Sequence, residues 1–478
     1  MNKPFQMVRN ARKTLVEQKK ESKSPDENYK VVVLTRKPKD NPEQNLLVTA
    51  SKFEKSAKSL GMESYIVFIE GAYITLDNNV RRIHNAGDEK GFEISTDDTL
   101  IIVRGGVNAR DSWKDLLSQL ERAGYTCANS RECMEVCSDK YRTALRLAEV
   151  GLTTPATVLI PDEESSKIQF EKLNTTYPVI LKTISGTKGV GVLFVESEKS
   201  LESMVQLLYK VDEEISLILQ TYIKTDYDVR VMVLNNIIVG AMQRNVVTGD
   251  FRSNVHLGSS IKKYELTEKE KRDCISAAKA VNGVWVGVDF IPAKDRENDS
   301  PFILEVNSSP GTEGFDKSTK KNITKHFLEN FMDKENWWKT SVLAGVWETF
   351  EHEKLGSIIG KMDTGNSSKT SVIHSDTYEI IGKKINWELN GVKMISKIEE
   401  MKKINLGGFR DRTEVRPSIL LDFTFAGTLY KNMRFTIDDR GKKTPILINR
   451  NFMNKANISI DPSRKFILTE RLDNLHDE

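Results

Sequence analysis

Three oxygen-bearing side chains define the chemistry this sequence can attempt. Glu305 and Asn307 close the apolar run Phe302-Ile303-Leu304-Glu305-Val306 and are followed by a Ser-Ser-Pro-Gly turn. Positions i and i+2 of a strand share a face, so the carboxylate and the carboxamide point together. Upstream, Asp289 is the lone acid of Gly287-Val288-Asp289-Phe290-Ile291, a second strand. Two neighbouring strands presenting Asp, Glu and Asn oxygens on one face make either a plain polar sheet face or a site for a hard cation. Magnesium suits it, because it takes few protein ligands and completes its shell with water and phosphate oxygens.

Basic residues in unusual positions supply the complementary charge. Pro178-Val179-Ile180-Leu181-Lys182 reads as a strand ending in lysine, followed by Ser185-Gly186-Thr187-Lys188-Gly189-Val190-Gly191. That glycine content suits either a tight hairpin turn or a wrap of backbone N–H groups around an anion. Lys182 and the downstream acids favour the anion. The segment lacks the Gly-Lys-Ser/Thr ending of a P-loop. Lys140 lies in the first turn of a helix predicted over 138–150 with Ser138 as its cap, where a cation opposes the helix dipole. It is either a solvated lysine or one that reaches a phosphate. Arg244, Arg252, Ser253 and Asn254 cluster in and around a donor-rich loop that matches anion handling. His256 has no visible partner for base chemistry. Arg104, at the end of an apolar strand, is either a surface arginine or a holder of an anionic substrate.

The elements that must position these groups alternate. Strands are predicted at 29–36, 65–69 and 100–103 and helices at 45–60 and 113–123, an α/β layer arrangement. Further strands at 215–223 and 228–234 lead to a hairpin across Asn235-Asn236, and a helix is expected over 317–332. At 478 residues the chain suggests several domains. The expected layout is a flexible arm over 1–29, an α/β domain over 30–137, a second domain over 138–332, a linker over 333–340, a β domain over 341–470 and a tail over 471–478. A net charge of +3 gives no argument for nucleic acid, and four cysteines form no paired metal motif. His352-Glu353 lacks the second histidine of a zinc-protease helix. No run reaches the roughly 20 apolar residues of a membrane span, so a cytoplasmic protein with no membrane partner is expected.

Taken in order, Lys182 with G-T-K-G-V-G, Q-T-Y-I, D-V-R, G-D-F-R-S-N-V-H, G-V-D-F and L-E-V-N-S-S-P-G-T-E-G resemble the ATP-grasp ligases. Within them the likeness is to the RimK type, which adds glutamate to a ribosomal protein's C-terminus, and it covers roughly residues 30–332. The resemblance implies an ATP-grasp domain behind an α/β domain. It implies ATP held by Lys140 and Lys182 at the phosphates, Thr221 and Tyr222 at adenine, Asp228 at ribose, and Arg252, Ser253 and Asn254 by the phosphates and substrate. Asp289, Glu305 and Asn307 would hold two magnesium ions, replaceable by manganese, and Arg252 and Arg244 would stabilise an acyl phosphate. Thr221 stands where such hinges usually carry Glu. The implied reaction joins an amino acid such as glutamate to a peptide or protein C-terminus, in a homo-oligomer that binds no nucleic acid.

Beyond residue 340 the pattern changes to short strands and turns. Ile358-Ile359-Gly360-Lys361-Met362-Asp363-Thr364-Gly365, with E-V-R-P and I-L-I-N-R-N-F-M, resembles the retropepsin-like domains labelled ATP-dependent zinc proteases. That likeness implies an all-β domain and a candidate catalytic Asp363. A single Asp-Thr-Gly would need a twofold partner copy to form the proton-sharing pair. Asn366 and Asn449 depart from that family's usual Ala and Gly. The alternative function is therefore a homodimeric peptidase with a nucleotide-sensing N-terminal half.

Overall fold

The computed structural model of the chain describes residues 29–37, 46–77, 80–104, 112–184, 191–246, 260–333, 336–337, 341–405, 413–439 and 444–471. The chain divides into two compact units, residues 1–338 and 339–478. The expected arm, except Tyr29, lies outside the described residues, as do most of the tail and of the linker. Among the described residues no helix is long and apolar enough to cross a membrane.

The first unit opens with a four-stranded parallel sheet: β1 (Lys30–Thr35), β2 (Glu63–Phe68), β3 (Thr99–Arg104) and β4 (Thr126–Ala128), in the order β2-β1-β3-β4. Val31 to Leu34 are all buried, as expected of a strand covered on both faces. Val31 and Val33 join Leu100 and Ile102 in an apolar cluster with Phe53, Trp285, Phe327 and Phe331. Val32 and Leu34 face the other way, against Val103, Trp113 and Leu117. One core therefore runs from the N-terminal layer to the strands that carry the acids.

Next comes an antiparallel sheet of β5 (Thr157–Ile160), β6 (Val179–Thr183), β7 (Val192–Val195) and β8 (Leu217–Thr221), ordered β7-β6-β8-β5. The helices Ser166–Leu173 and Glu198–Val211 cover it through Leu173, Leu201 and Val205. The third sheet contains β9 (Tyr227–Leu234), β10 (Ile237–Asn245), β11 (Ile261–Lys263), β12 (Trp285–Ile291) and β13 (Phe302–Asn307), ordered β11-β10-β9-β12-β13. Asn235 and Asn236 make the β9–β10 turn with φ of 49° and 61°, the left-handed pair that a two-residue hairpin requires.

Two helix boundaries differ from the expectation. Ser138 ends the helix Arg131–Ser138, its hydroxyl donating to the Glu135 carbonyl. Asp139 instead caps Lys140–Glu149, accepting from the Arg142 N–H at 2.9 Å. The helix expected over 317–332 is two helices, Glu313–Thr319 and Ile323–Phe331, separated by Lys320 at φ 56°.

The second unit is mostly strands. A seven-stranded sheet places Gly356–Met362 beside Ile446–Ile448, and an extra Glu351–Thr424 pairing ties its first strand, Trp347–His352, to Thr413–Phe425. Its core gathers Phe350, Phe423, Phe435 and Phe452.

Candidate active site

Cross-strand register assembles the site. Arg244 on β10 pairs with Asp228 on β9, Arg230 on β9 pairs with Asp289 on β12, and Asp289 pairs with Glu305 on β13. Asn307 lies opposite Gly287. A side chain at 287 would bring its Cβ to 2.9 Å from Pro310 and toward the Arg230 side chain, so the absence of one keeps the face open. The two strands are adjacent and all three predicted oxygen donors share one face.

Within this row, Asp289 is buried and held by two guanidinium groups. Arg230 donates to it through Nε and Nη2 at 2.6 and 2.5 Å, and Arg244 through Nη2 at 2.9 Å. Burial alone would push the Asp289 carboxyl up, but Arg230 and Arg244 pull it well below the usual carboxylate range. Arg244 also forks Asp228 at 2.6 and 2.5 Å. Burial opposes its charge, yet Asp289 and Asp228 together hold it above the ordinary arginine value. Glu305 is the open member, with 42% of its side chain exposed, and lies 3.8 Å from Arg230. The Asn307 carboxamide spans the pair, reaching Glu305 Oε1 at 3.0 Å and Asp289 Oδ2 at 3.5 Å.

These placements change two of the expected roles. Arg244 is 3% exposed and clamps Asp228 and Asp289, so it faces no open surface. Asp228, expected at ribose, is equally buried with both oxygens in that fork. Among the described residues the more accessible guanidinium on this face is Arg230, with 17% of its side chain exposed. The sequence signal for it is the Asp228-Val229-Arg230 alternation, which puts residues 228 and 230 on one face.

Lysines border the acids. Lys182, near the end of β6, donates to Gln220 Oε1 at 2.6 Å, and Gln220 in turn donates to Thr157 Oγ1 at 2.9 Å. Burial lowers the Lys182 ammonium to about 8; Glu305 partly offsets this and Lys140 adds to it. Lys140 reaches across from its helix to the carbonyls of Thr183 and Ile184 at 3.1 and 3.3 Å, and burial lowers it too, against Glu305 and Asp139. Both lysines thus feel the field of the same carboxylate. Gly191, at φ 78°, returns the chain toward β7; a Cβ there would meet Thr183 Oγ1 at 2.5 Å.

At the expected adenine edge, the Thr221 N–H donates to the Ala156 carbonyl at 3.0 Å, and the Tyr222 ring meets Phe194 edge-on at 5.0 Å. Ser185–Val190, Arg252, Ser253, Asn254 and His256 lie outside the described residues. Arg104 is not on the surface: it is 6% exposed, donates to the Pro310 carbonyl at 2.8 Å and lies 4.7 Å from the Trp285 ring. In the second unit Asp363 directly follows Gly356–Met362, its N–H donating to the Ile448 carbonyl and its Oδ1 accepting from the Gly365 N–H. Thr364 and Gly365 are exposed.

Among the described residues no three His, Cys, Asp or Glu side chains gather as a metal cluster. The donor set here is two carboxylates and one carboxamide, all hard oxygen ligands once Asn307 turns its Oδ1 inward. That set fits magnesium better than a softer metal.

A RimK-like ATP-grasp domain model matches residues 137–331. The "Probable alpha-L-glutamate ligase" of Coxiella burnetii (strain RSA 493 / Nine Mile phase I) is 31% identical over 290 residues, covering 60% of this chain and 92% of that protein. The chain belongs to the RimK-like ATP-grasp family. It is an enzyme, a carboxylate–amine ligase. The protein of the same description from Methanococcoides burtonii is 30% identical over 288 residues, covering 59% of this chain and 91% of that one. Among solved structures, the ATP-grasp ligase PsnB complexed with minimal precursor is 18% identical with a TM-score of 0.49, covering 64% of this chain and 99% of that chain. The unit from residue 339 onward lies beyond the family match.

Proposed function

We propose that the ligase uses ATP to join glutamate, or a similar amino acid, to the C-terminal carboxylate of a peptide or protein. The observation that carries this reading is the continuous row Arg230–Asp289–Glu305–Asn307 bordered by two half-buried or buried lysines. A terminal carboxylate oxygen attacks the γ-phosphorus, the bond to the ADP oxygen breaks, and an acyl phosphate results. The neutral amine nitrogen then attacks the acyl carbon, phosphate leaves, and the amine's extra proton passes to solvent. Side chains do little covalent work in such transfers, so catalysis lies in positioning and charge stabilisation.

Lys182 and Lys140 are assigned to the ATP phosphates, since their charge in a low-dielectric setting calls for an anion. Asp289, Glu305 and Asn307 would hold magnesium, as two ions, whose chemistry is neutralisation of phosphate oxygens. Arg230 pairs with Asp289 in the free protein and is the best-placed guanidinium on this face for an acyl phosphate. Arg252, Ser253 and Asn254 are proposed to complete the phosphate contacts. The glutamate specificity rests on the similarity to the alpha-L-glutamate ligases.

Asp363 offers one carboxylate beside an exposed turn, and among the described residues no contact in the second unit favours peptide cleavage. The ligase reading is tested by amino-acid-dependent ADP release with a panel of acceptor peptides. Glu305→Ala is expected to abolish it with the melting curve unchanged; full activity in that variant would remove the assignment.

A further inference from the structure

The acids are fixed by very few strand pairs. Between β12 and β13 the register is interrupted just after Asp289, where Leu304 has no partner, and the ladder ends at Gly287↔Asn307. Three consecutive pairs, Gly287↔Asn307, Val288↔Val306 and Asp289↔Glu305, therefore set the spacing of all three donors. Beyond the last pair the two strands would be free to splay. One side chain from a different sheet sits at that opening. Asn129 follows β4 at the edge of the N-terminal sheet and is 1% exposed. Its Nδ2 donates to the Trp285 carbonyl and the Ser308 carbonyl, both at 2.7 Å. Its Oδ1 accepts from the N–H groups of Val284 at 2.8 Å and Trp285 at 2.9 Å.

Those four bonds use the full capacity of a carboxamide, two donors and two acceptor lone pairs. They tie the residue that opens β12 to the residue immediately after Asn307, across the gap where the ladder has stopped. Arg104, from the neighbouring strand β3, holds the same segment two residues further on through the Pro310 carbonyl and lies over the Trp285 ring. The Ser309 hydroxyl meets the Val103 carbonyl at 3.5 Å. All four of these side-chain hydrogen bonds go to backbone, so a change there is felt in where the strands lie, not in what they carry.

We infer that Asn129 is a positioning residue of the ligase site, acting through the backbone of Trp285 and Ser308 to hold Asp289 against Glu305 and Asn307. It rests on the reading of those three groups as the magnesium-binding set. The decisive variant is Asn129→Asp, which has the same shape and keeps both acceptor bonds. It replaces the two donor bonds with an oxygen facing two carbonyl oxygens.

The full chain carrying N129D is expected to keep its secondary structure by circular dichroism. Magnesium affinity of the full chain with ADP, measured by titration calorimetry, should fall at least about tenfold; the magnesium concentration for half-maximal ADP release should rise in step, and excess magnesium should restore part of the rate. Asn129→Ser, which keeps one hydroxyl donor, should fall between N129D and the parent, and it replaces N129D should that variant not fold. An unchanged magnesium requirement, or a loss of rate that magnesium does not relieve at all, overturns the inference. Glu305→Ala separates the two levels. If it is inactive while N129D is normal, only the positioning role fails; if it is active, the magnesium reading itself has failed.

Discussion

Two buried carboxylates, one in each unit, are held by two different kinds of donor. Glu348 in the second unit is 0% exposed and is caged by fixed donors: the N–H groups of Gly345, Ile467, Leu468 and Thr469 and the Thr469 hydroxyl, at 2.6–3.3 Å. Asp289 in the first is 2% exposed and is held by the guanidinium groups of two long side chains beside an open Glu305. Backbone donors cannot leave without unfolding their segment. Arg230 is a side chain whose bonds to Asp289 can break without unfolding a segment, and in the proposed reaction it would exchange that carboxylate for a phosphate oxygen. Exchangeable partners, rather than burial, mark the acid that can change ligands.

The comparison can be broken in four ways. The largest effect is expected at the site's edge: Lys182→Met, of similar length and uncharged, should lower kcat/KM for ATP by about 10³-fold. Steady-state kinetics with unchanged thermal melting would confirm it, and a loss below tenfold would show that the lysine does not meet phosphate. Next, Glu348→Ala should destabilise the second unit by about 3 kcal/mol, because several buried N–H groups lose their acceptor. Differential scanning calorimetry reads this as a lowered transition.

The third prediction concerns pH. Lys182 titrates near 8 in the free protein, below its unfolded value. As pH rises from 7 to 9 its charge is lost, and the affinity for ATP should fall about tenfold. Folding moves the opposite way: between about 8 and the ordinary lysine value the unfolded chain binds more protons, so stability from this group rises with pH. Titration calorimetry for ATP and urea unfolding over the same pH range should therefore show opposite slopes. The smallest effect is Asn449→Ala. Asn449 caps the helix Arg450–Lys455 through the Phe452 N–H and donates to the Ser368 carbonyl at 2.8 Å. Its loss should cost about 1 kcal/mol, seen as a small drop in melting temperature.

The strands and the three oxygen donors were legible because alternation depends only on neighbours in the chain: Glu305 and Asn307 must share a face wherever the strand goes. What Asp228 and Arg244 do was not legible, since their pairing is a register between two strands joined by a hairpin. A charged residue read alone looks like a ligand contact; placed opposite its counter-ion and buried, it becomes a clamp. Arg104 followed the same course: read as either a surface arginine or a holder of an anionic substrate, it is packed on Trp285 and Pro310. The split of the helix expected over 317–332 turned on Lys320 adopting a left-handed backbone, which no periodicity announces. Ser138 lost the cap to Asp139 because it is the last residue of Arg131–Ser138, a helix that was not expected from the sequence.

The core shared by the N-terminal layer and the acid-bearing strands has a practical outcome. Val31, Val33 and Phe53 lie against Trp285, Phe327 and Phe331. A fragment trimmed to residues 137–331 would leave one wall of that seam wet. Such a piece should clump rather than catalyse, so the smallest useful ligase must begin before β1.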